Sequence, residues 1–168
     1  PVVADTFAEA DEVATRLLGR TVTSLIQWDG EGERAEHDER LKRTEFSQPA
    51  TLTVDVAIAR LLAAFGVLPD VVAGHSLGEY AAAVAAGVLT FPQALEAVSA
   101  RGREMASIHL EDPGKMAGIA TSTDVVEEVL AEIDGYVVPA NKNCPSQTVI
   151  AGASDAVDAA VESFTARG

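Results

Sequence analysis

Cysteine occurs once in the 168 residues, at Cys144, so no internal disulfide framework holds the fold, and a reducing, cytoplasmic compartment is expected. Basic residues are also few. Twelve Lys and Arg stand against 26 Asp and Glu, a formal net charge of −14. That argues against nucleic acid or an anionic membrane face as the main partner, because both reward clustered cations. No stretch approaches the roughly 20 uninterrupted apolar residues of a membrane span, and no charged-then-apolar signal segment opens the chain. The histidines, His37, His75 and His109, are scattered and accompanied by a single cysteine, so no metal site is expected. Internal repeats and low-complexity tracts are missing too. What remains is an ordinary globular balance, 48% apolar and 23% charged, long enough for one domain and too short for two full-sized ones.

Apolar residues recur at helical spacing from Thr6 to Leu18 (Phe7, Ala10, Val13 or Ala14, Leu17), with Gly19 as a stop. The charge run from Asp29 to Arg43 reads as a solvated loop and helix start; a docking surface is the alternative. Pro49 to Phe65 is apolar on most faces, which predicts a buried helix entered at Pro49 and closed by Gly66. Val67 to Ala73 is short, apolar and rich in β-branched residues, the pattern of a central parallel strand. Gly78 to Ala86 reads as a helix with Gly87 as its C-cap, and Thr90 with Gln93 as the capping box of another reaching about Met105.

The texture changes after the turn at Glu111 to Gly114. Met116 to Ala120 reads as a strand, followed by a helix that Asp124 and Glu127 are placed to cap. Tyr136 to Ala140 and Thr148 to Ala151 read as two strands, and Ser154 as the cap of a last helix. The order β-α-β-β-α is a split βαβ unit short of its sixth element. The expected fold class is therefore α/β: a parallel-sheet core over residues 1–113, and a ferredoxin-like α+β subdomain over 114–168 lacking its last strand.

Gly74-His75-Ser76-Leu77-Gly78 is a G-x-S-x-G pentapeptide between the predicted strand and a predicted helix. In that setting the serine is forced into a strained turn that lifts its hydroxyl from an α/β-hydrolase-like sheet, with glycines two before and two after to avoid collisions. The helix then aims its positive end, and the backbone N–H of Leu77, at a developing oxyanion. The alternative is a glycine-bracketed turn with an ordinary serine. A serine nucleophile needs a base. His75 is adjacent in sequence, where side chains diverge, and is expected to line the site instead. Neither His37 nor His109 follows an element that aims it at Ser76, so the nucleophile is present and its base is not.

This heptapeptide through Glu79 and Tyr80, with Thr44-Glu45-Phe46-Ser47-Gln48-Pro49-Ala50 upstream and Arg101-Gly102-Arg103 downstream, resembles the malonyl-CoA:acyl-carrier-protein transacylase family. That family includes the acyltransferase domains of polyketide and fatty-acid synthases. Asn141 to Gly152 resembles the family's Asn-Ser-Pro-x-Gln-x-Val-x-x-Gly stretch, with Cys144 where serine is usual. The resemblance implies that Ser76 is acylated, that Leu77 donates one oxyanion N–H, and that Arg101 pairs with the free carboxylate of a malonyl-type group, for which a planar fork is suited. Without the resemblance, Arg101 is equally a surface residue near a helix C-terminus. It also implies that Gln48 lies near the active site, a plain helix-entry residue being the alternative, and that Asn143 lines the groove for the carrier arm.

By the same resemblance the chain opens past the glutamine loop that supplies the second oxyanion donor, and stops before the catalytic histidine. A central piece of a larger acyltransferase domain, inactive alone, is expected. The implied reaction moves malonyl from coenzyme A through a seryl ester to the phosphopantetheine thiol of an acyl carrier protein, in polyketide or fatty-acid synthesis, with no further cofactor. Malonyl-CoA, the carrier and flanking synthase domains are the expected partners. A serine hydrolase (esterase or thioesterase) shares the serine turn without needing Arg101, and a non-catalytic fragment is the third reading.

Overall fold

The helical spacing of the first eighteen residues is realised as α1, Val2–Leu18, which Gly19 ends in the left-handed region at φ 70° in a computed structural model of the chain. The structure describes residues 1–28, 30, 33–108 and 110–168. It divides into two compact units, residues 1–108 and 109–168. That division falls five residues before the one expected at 113/114. The reason is Asp112, whose carboxylate accepts from the Gly114 N–H at 2.9 Å and from both the N–H and hydroxyl of Ser154, tying the turn to the second unit.

The first unit is helical among the described residues: α1, then α2 (Val22–Ile26), α3 (Arg34–Lys42), α4 (Thr44–Ala64), α5 (Gly78–Ala85) and α6 (Phe91–Ser107). Its core joins Ala10 and Val13 of α1 to Leu52 and Val56 of α4 and to Phe91 and Leu95 of α6. Each large side chain so buried contributes about 1.5–3 kcal/mol relative to exposure. α6 begins at the anticipated capping box: Thr90 N–H donates to Gln93 Oε1 at 2.9 Å, and Gln93 N–H to Thr90 Oγ1 at 3.4 Å. α3 buries no residue, as suits a solvated charge run, of which Asp29, Glu31 and Gly32 lie outside the described residues.

Three expectations for this unit are corrected. α4 starts at Thr44, not at Pro49, which lies inside the helix and is buried. It is not buried on most faces either: Leu52 and Val56 are covered, whereas Ile58, Leu62 and Phe65 face solvent. Val67 to Ala73 is not a strand. A strand requires a ladder partner, and the first unit has no strand among its described residues. The stretch runs unpaired, with Val71 85% exposed, along a groove of about 690 Å³ that Leu62, Val67, Leu68 and Val84 help to line.

The second unit comprises β1 (Lys115–Ile119), α7 (Thr123–Leu130), β2 (Val137–Cys144), β3 (Gln147–Gly152) and α8 (Ser154–Arg167). The sheet order is β1-β3-β2 with both pairings antiparallel, in a register that sets Ala117 opposite Ile150 and Val138 opposite Ala151. Ile119, Ile150, Val126 and Val157 meet in its core. Pro139 is tolerated because β2 is an edge strand. The capping expectations differ in detail. α7 is preceded by Ser122, with no side-chain cap, and Asp124 sits in its first turn. Ser154 is itself the first residue of α8, and its N–H is capped from a distance by Asp112. Thus the fold is mixed α/β. No helix of the described residues is long and apolar enough to cross a membrane.

Candidate active site

Ser76 is the single non-glycine residue with positive φ among those described, at 52°. An L-residue held in the left-handed region costs about 1–3 kcal/mol and persists only where its surroundings impose it. Here they do. Gly78 N–H donates to the His75 carbonyl at 2.9 Å, Glu79 N–H to that of Ser76 at 3.2 Å, and Tyr80 N–H to that of Leu77 at 3.1 Å, winding the chain directly into α5. Leu77 caps α5 with helical backbone (φ −56°, ψ −36°), and its side chain packs with Tyr80, Ala81 and Val84 against the core. The turn is therefore anchored from below while Ser76 and His75 remain exposed.

Gly74 passes close beneath the helix start. A Cβ there would lie 2.3 Å from the Glu79 nitrogen and from the Gly78 carbonyl carbon, both backbone atoms that cannot give way. The second glycine differs from expectation: a Cβ at Gly78 would meet nothing within 4 Å, so collision does not explain it in this unit. Ser76 Oγ and the Leu77 N–H have no hydrogen-bond partner among the described residues, which leaves a hydroxyl and a donor available at the positive end of a helix. None of the described histidines is hydrogen-bonded to the serine. His37 lies on α3 with both ring nitrogens buried and without hydrogen-bond partners among the described residues, Asp38 Oδ1 standing 3.6 Å from Nδ1, and His109 lies outside the described residues.

Gln48 and Arg101, separate in the sequence reading, are joined. Arg101 Nη1 on α6 donates to Gln48 Oε1 on α4 at 2.7 Å. The Gln48 amide nitrogen donates to Thr44 Oγ1 at 2.7 Å and approaches Met105 Sδ at 3.5 Å. Gln48 is 5% exposed, whereas Arg101 is half-buried. The two helices meet closely at Gly102, where a Cβ would lie 2.9 Å from both Glu45 Cα and the Thr44 carbonyl oxygen. Thr44 and Gly102 are thus the positions whose importance the sequence reading did not single out. The four-residue spacing of Thr44 and Gln48, and a glycine inside a helical pattern, were the available signals. α5 packs on both α4 and α6, so Ser76, Gln48 and Arg101 are carried by mutually packed helices of one unit.

Asn143 belongs to the second unit. It falls in an irregularity of the β2–β3 register, between the pairs Lys142–Thr148 and Cys144–Gln147, where its side chain donates to Gln147 Oε1 at 3.1 Å. Such irregularities re-aim side chains. Next to it, the exposed Cys144 thiol is pulled below its usual range by the hydroxyl of Ser146 and the adjacent backbone amides. No group of three or more His, Cys, Asp or Glu among the described residues is placed to hold a metal ion.

Comparison with known proteins places this geometry. The sequence model of the acyl transferase domain matches residues 1–168. Polyketide synthase GfsA of Streptomyces halstedii is 43% identical over 164 residues, which are 96% of this chain and 2% of that protein. The malonyl CoA-acyl carrier protein transacylase of Bacillus subtilis (strain 168) is 38% identical over 166 residues, 96% of this chain and 49% of the relative. A malonyl-transacylase solved in complex with its type II polyketide-synthase acyl carrier protein superposes with a TM-score of 0.83 at 38% identity, covering all of this chain and 52% of that one. The chain thus spans about half the length of the discrete transacylases it matches. With the sequence matched from end to end and the backbone of solved transacylases reproduced, the chain belongs to the acyl transferase domain family.

Proposed function

We propose that this chain forms the serine-bearing part of an enzyme that transfers a malonyl-type group from coenzyme A to the phosphopantetheine thiol of an acyl carrier protein, in fatty-acid or polyketide synthesis. The observation that carries the proposal is Ser76, held at positive φ at the start of α5 with its hydroxyl exposed. Ser76 Oγ attacks the thioester carbonyl carbon and its proton passes to a base. The C–S bond breaks, and coenzyme A leaves as a thiol carrying that proton. In the second half the carrier thiol attacks the seryl ester, a thioester forms, and Ser76 recovers its proton. The Leu77 N–H stabilises the oxyanion in both halves. Arg101 binds the distal carboxylate; an acetyl group leaves the guanidinium unpaired, at a cost of about 1–3 kcal/mol. The exposed His75 lines the approach to Ser76, and Asn143 the path of the carrier arm. Neither step calls on a metal or a bound cofactor, and flanking synthase domains are further partners of a polyketide-synthase version.

The finer architecture belongs to the same proposal: residues 1–113 form an α/β-hydrolase-like core, in which Val67 to Ala73 leads, unpaired, into the serine turn. The β1-β3-β2 antiparallel order, with α7 and α8, supports a ferredoxin-like subdomain over 114–168. The test uses full-length protein and labelled malonyl-CoA. A Ser76 ester should form, persist in buffer and be discharged by holo carrier protein; Ser76→Ala should carry no label. Rapid release of free malonate without an acceptor would instead identify a hydrolase.

A further inference from the structure

An arginine only donates, so the Gln48 atom facing Arg101 must be the amide oxygen, as it is. That choice turns the amide nitrogen the opposite way, into a buried position where an unpaired NH₂ is costly. Two acceptors await it: Thr44 Oγ1 at 2.7 Å and the weak thioether acceptor of Met105 at 3.5 Å. Thr44 is the strong one. It lies one turn before Gln48 on the same face of α4, at the place where Gly102 lets α6 touch the α4 backbone. The three residues therefore form a directed relay in which the guanidinium donates to the amide and the amide to the hydroxyl. Gln48 engages only Nη1 of Arg101, and no other hydrogen bond holds that side chain among the described residues. The edge formed by Nε and Nη2 remains for a two-point grip on a carboxylate.

We propose that Thr44 is a positioning residue: by fixing the sense of the Gln48 amide it holds Arg101 with its carboxylate-binding edge open, and so sets the preference for malonyl over uncharged acyl groups. This rests on the reading of Arg101 as the carboxylate partner. Gln48 then acts on the guanidinium and does not touch the substrate, which refines its expected role.

The test measures kcat and KM for malonyl-CoA and acetyl-CoA in the full-length protein. Thr44→Val keeps the shape and removes the acceptor. Malonyl KM should rise about 5-fold, the effect of one neutral hydrogen bond, with kcat and the acetyl parameters little changed. Thr44→Ser should restore the wild-type ratio. In an Arg101→Ala background Thr44→Val should have no further effect on selectivity, because the two act as one unit. Should Thr44→Val fail to fold, Gln48→Glu decides: its carboxylate occupies Arg101 and should depress malonyl use selectively. An equal loss for malonyl and acetyl, or a Thr44→Ser variant no better than Thr44→Val, overturns the proposal, since both indicate a merely structural threonine. If Arg101→Ala abolishes the malonyl preference while Thr44→Val and Gln48→Glu keep it, the positioning role alone fails. If Arg101→Ala keeps the preference, the carboxylate reading fails and this inference with it.

Discussion

Replacing Gly74 by alanine, and separately Gly78, makes the same one-methyl change at the two glycines that flank Ser76. The sequence pattern treats these positions as equals, and the structure does not. At Gly74 the new Cβ would lie 2.3 Å from the Glu79 nitrogen and the Gly78 carbonyl carbon and 2.4 Å from Glu79 Cα. Nonbonded heavy atoms rest about 3.5 Å apart, so the turn and the start of α5 must separate by about 1.2 Å. Overpacking of this kind costs about 1–3 kcal/mol. The displaced atoms flank Ser76 and Leu77, and a misplacement of about 1 Å at a reacting group costs on the order of 100-fold in rate. At Gly78 a Cβ meets nothing within 4 Å and the backbone is not at positive φ, so alanine should be neutral or stabilise α5 by up to about 1 kcal/mol. The assay is the rate of Ser76 labelling by malonyl-CoA in full-length protein, beside urea denaturation of each variant. Equal labelling rates for the two variants, or a Gly74→Ala protein as fast and stable as the parent, would refute the close-approach argument.

Arg101→Ala should lower the ratio of malonyl to acetyl kcat/KM by about 10- to 100-fold, corresponding to about 1–3 kcal/mol, while uncharged acyl groups are used as before or better; matched losses for both substrates would make Arg101 structural. Thr90→Ala removes the hydroxyl half of the capping box at α6, leaving the backbone N–H at 90 to donate to Gln93 Oε1, and should cost about 0.5–2 kcal/mol, toward the lower end because the Gln93 N–H bond is long at 3.4 Å; an unchanged urea midpoint would contradict it. Asp112 is held below the usual carboxylate range chiefly by the Ser154 hydroxyl, then by the N–H groups of Ser154 and Gly114. A carboxyl depressed in the folded state contributes stability that is present above its unfolded value of about 4 and is lost as pH falls through the lower folded value. Asp112→Asn should therefore be less stable than the parent at neutral pH, and the difference should vanish in strong acid; a difference independent of pH would show that the ionised carboxylate is not the source.

Features closed by neighbours in the chain are legible in the sequence. The serine turn is held by hydrogen bonds spanning three residues, from Gly78 to His75 and onward, and its G-x-S-x-G pattern encodes that backbone directly. The same locality made the Thr90–Gln93 box and the stop of α1 at Gly19 readable. The second unit's element order was readable because strand and helix periods alternate there within short spans. Features that depend on distant partners were not. Val67 to Ala73 has every local mark of a buried strand, but pairing is a property of two segments, and no composition of one supplies the other. The apolar stripes of α4 predict burial on most faces, yet burial follows from what packs on each face: Leu52 and Val56 join the core with α1 and α6, whereas Ile58, Leu62 and Phe65 stay exposed. Asp112 caps a helix 42 residues away, and Ser154, the local candidate, becomes the residue that is capped.

The Arg101–Gln48 contact is the instructive intermediate. Its ends are 53 residues apart, so no local rule pairs them, and the resemblance to acyltransferases named each residue without joining them. The joint is nevertheless inscribed at Gly102. A glycine inside a helix sacrifices about 1 kcal/mol relative to alanine, and here the missing side chain is what lets α6 rest 2.9 Å, measured from an added Cβ, against the α4 backbone at Thr44 and Glu45. Residues beside such a crossing are fixed in register across two helices, so Arg101 meets Gln48 and Gln48 meets Thr44 without adjustable loops between them. On the proposed reading of Arg101, a substrate carboxylate requires a guanidinium held to a fraction of an ångström. Two rigid helices locked at a glycine supply that precision, where a loop-borne arginine would lose affinity to its own freedom.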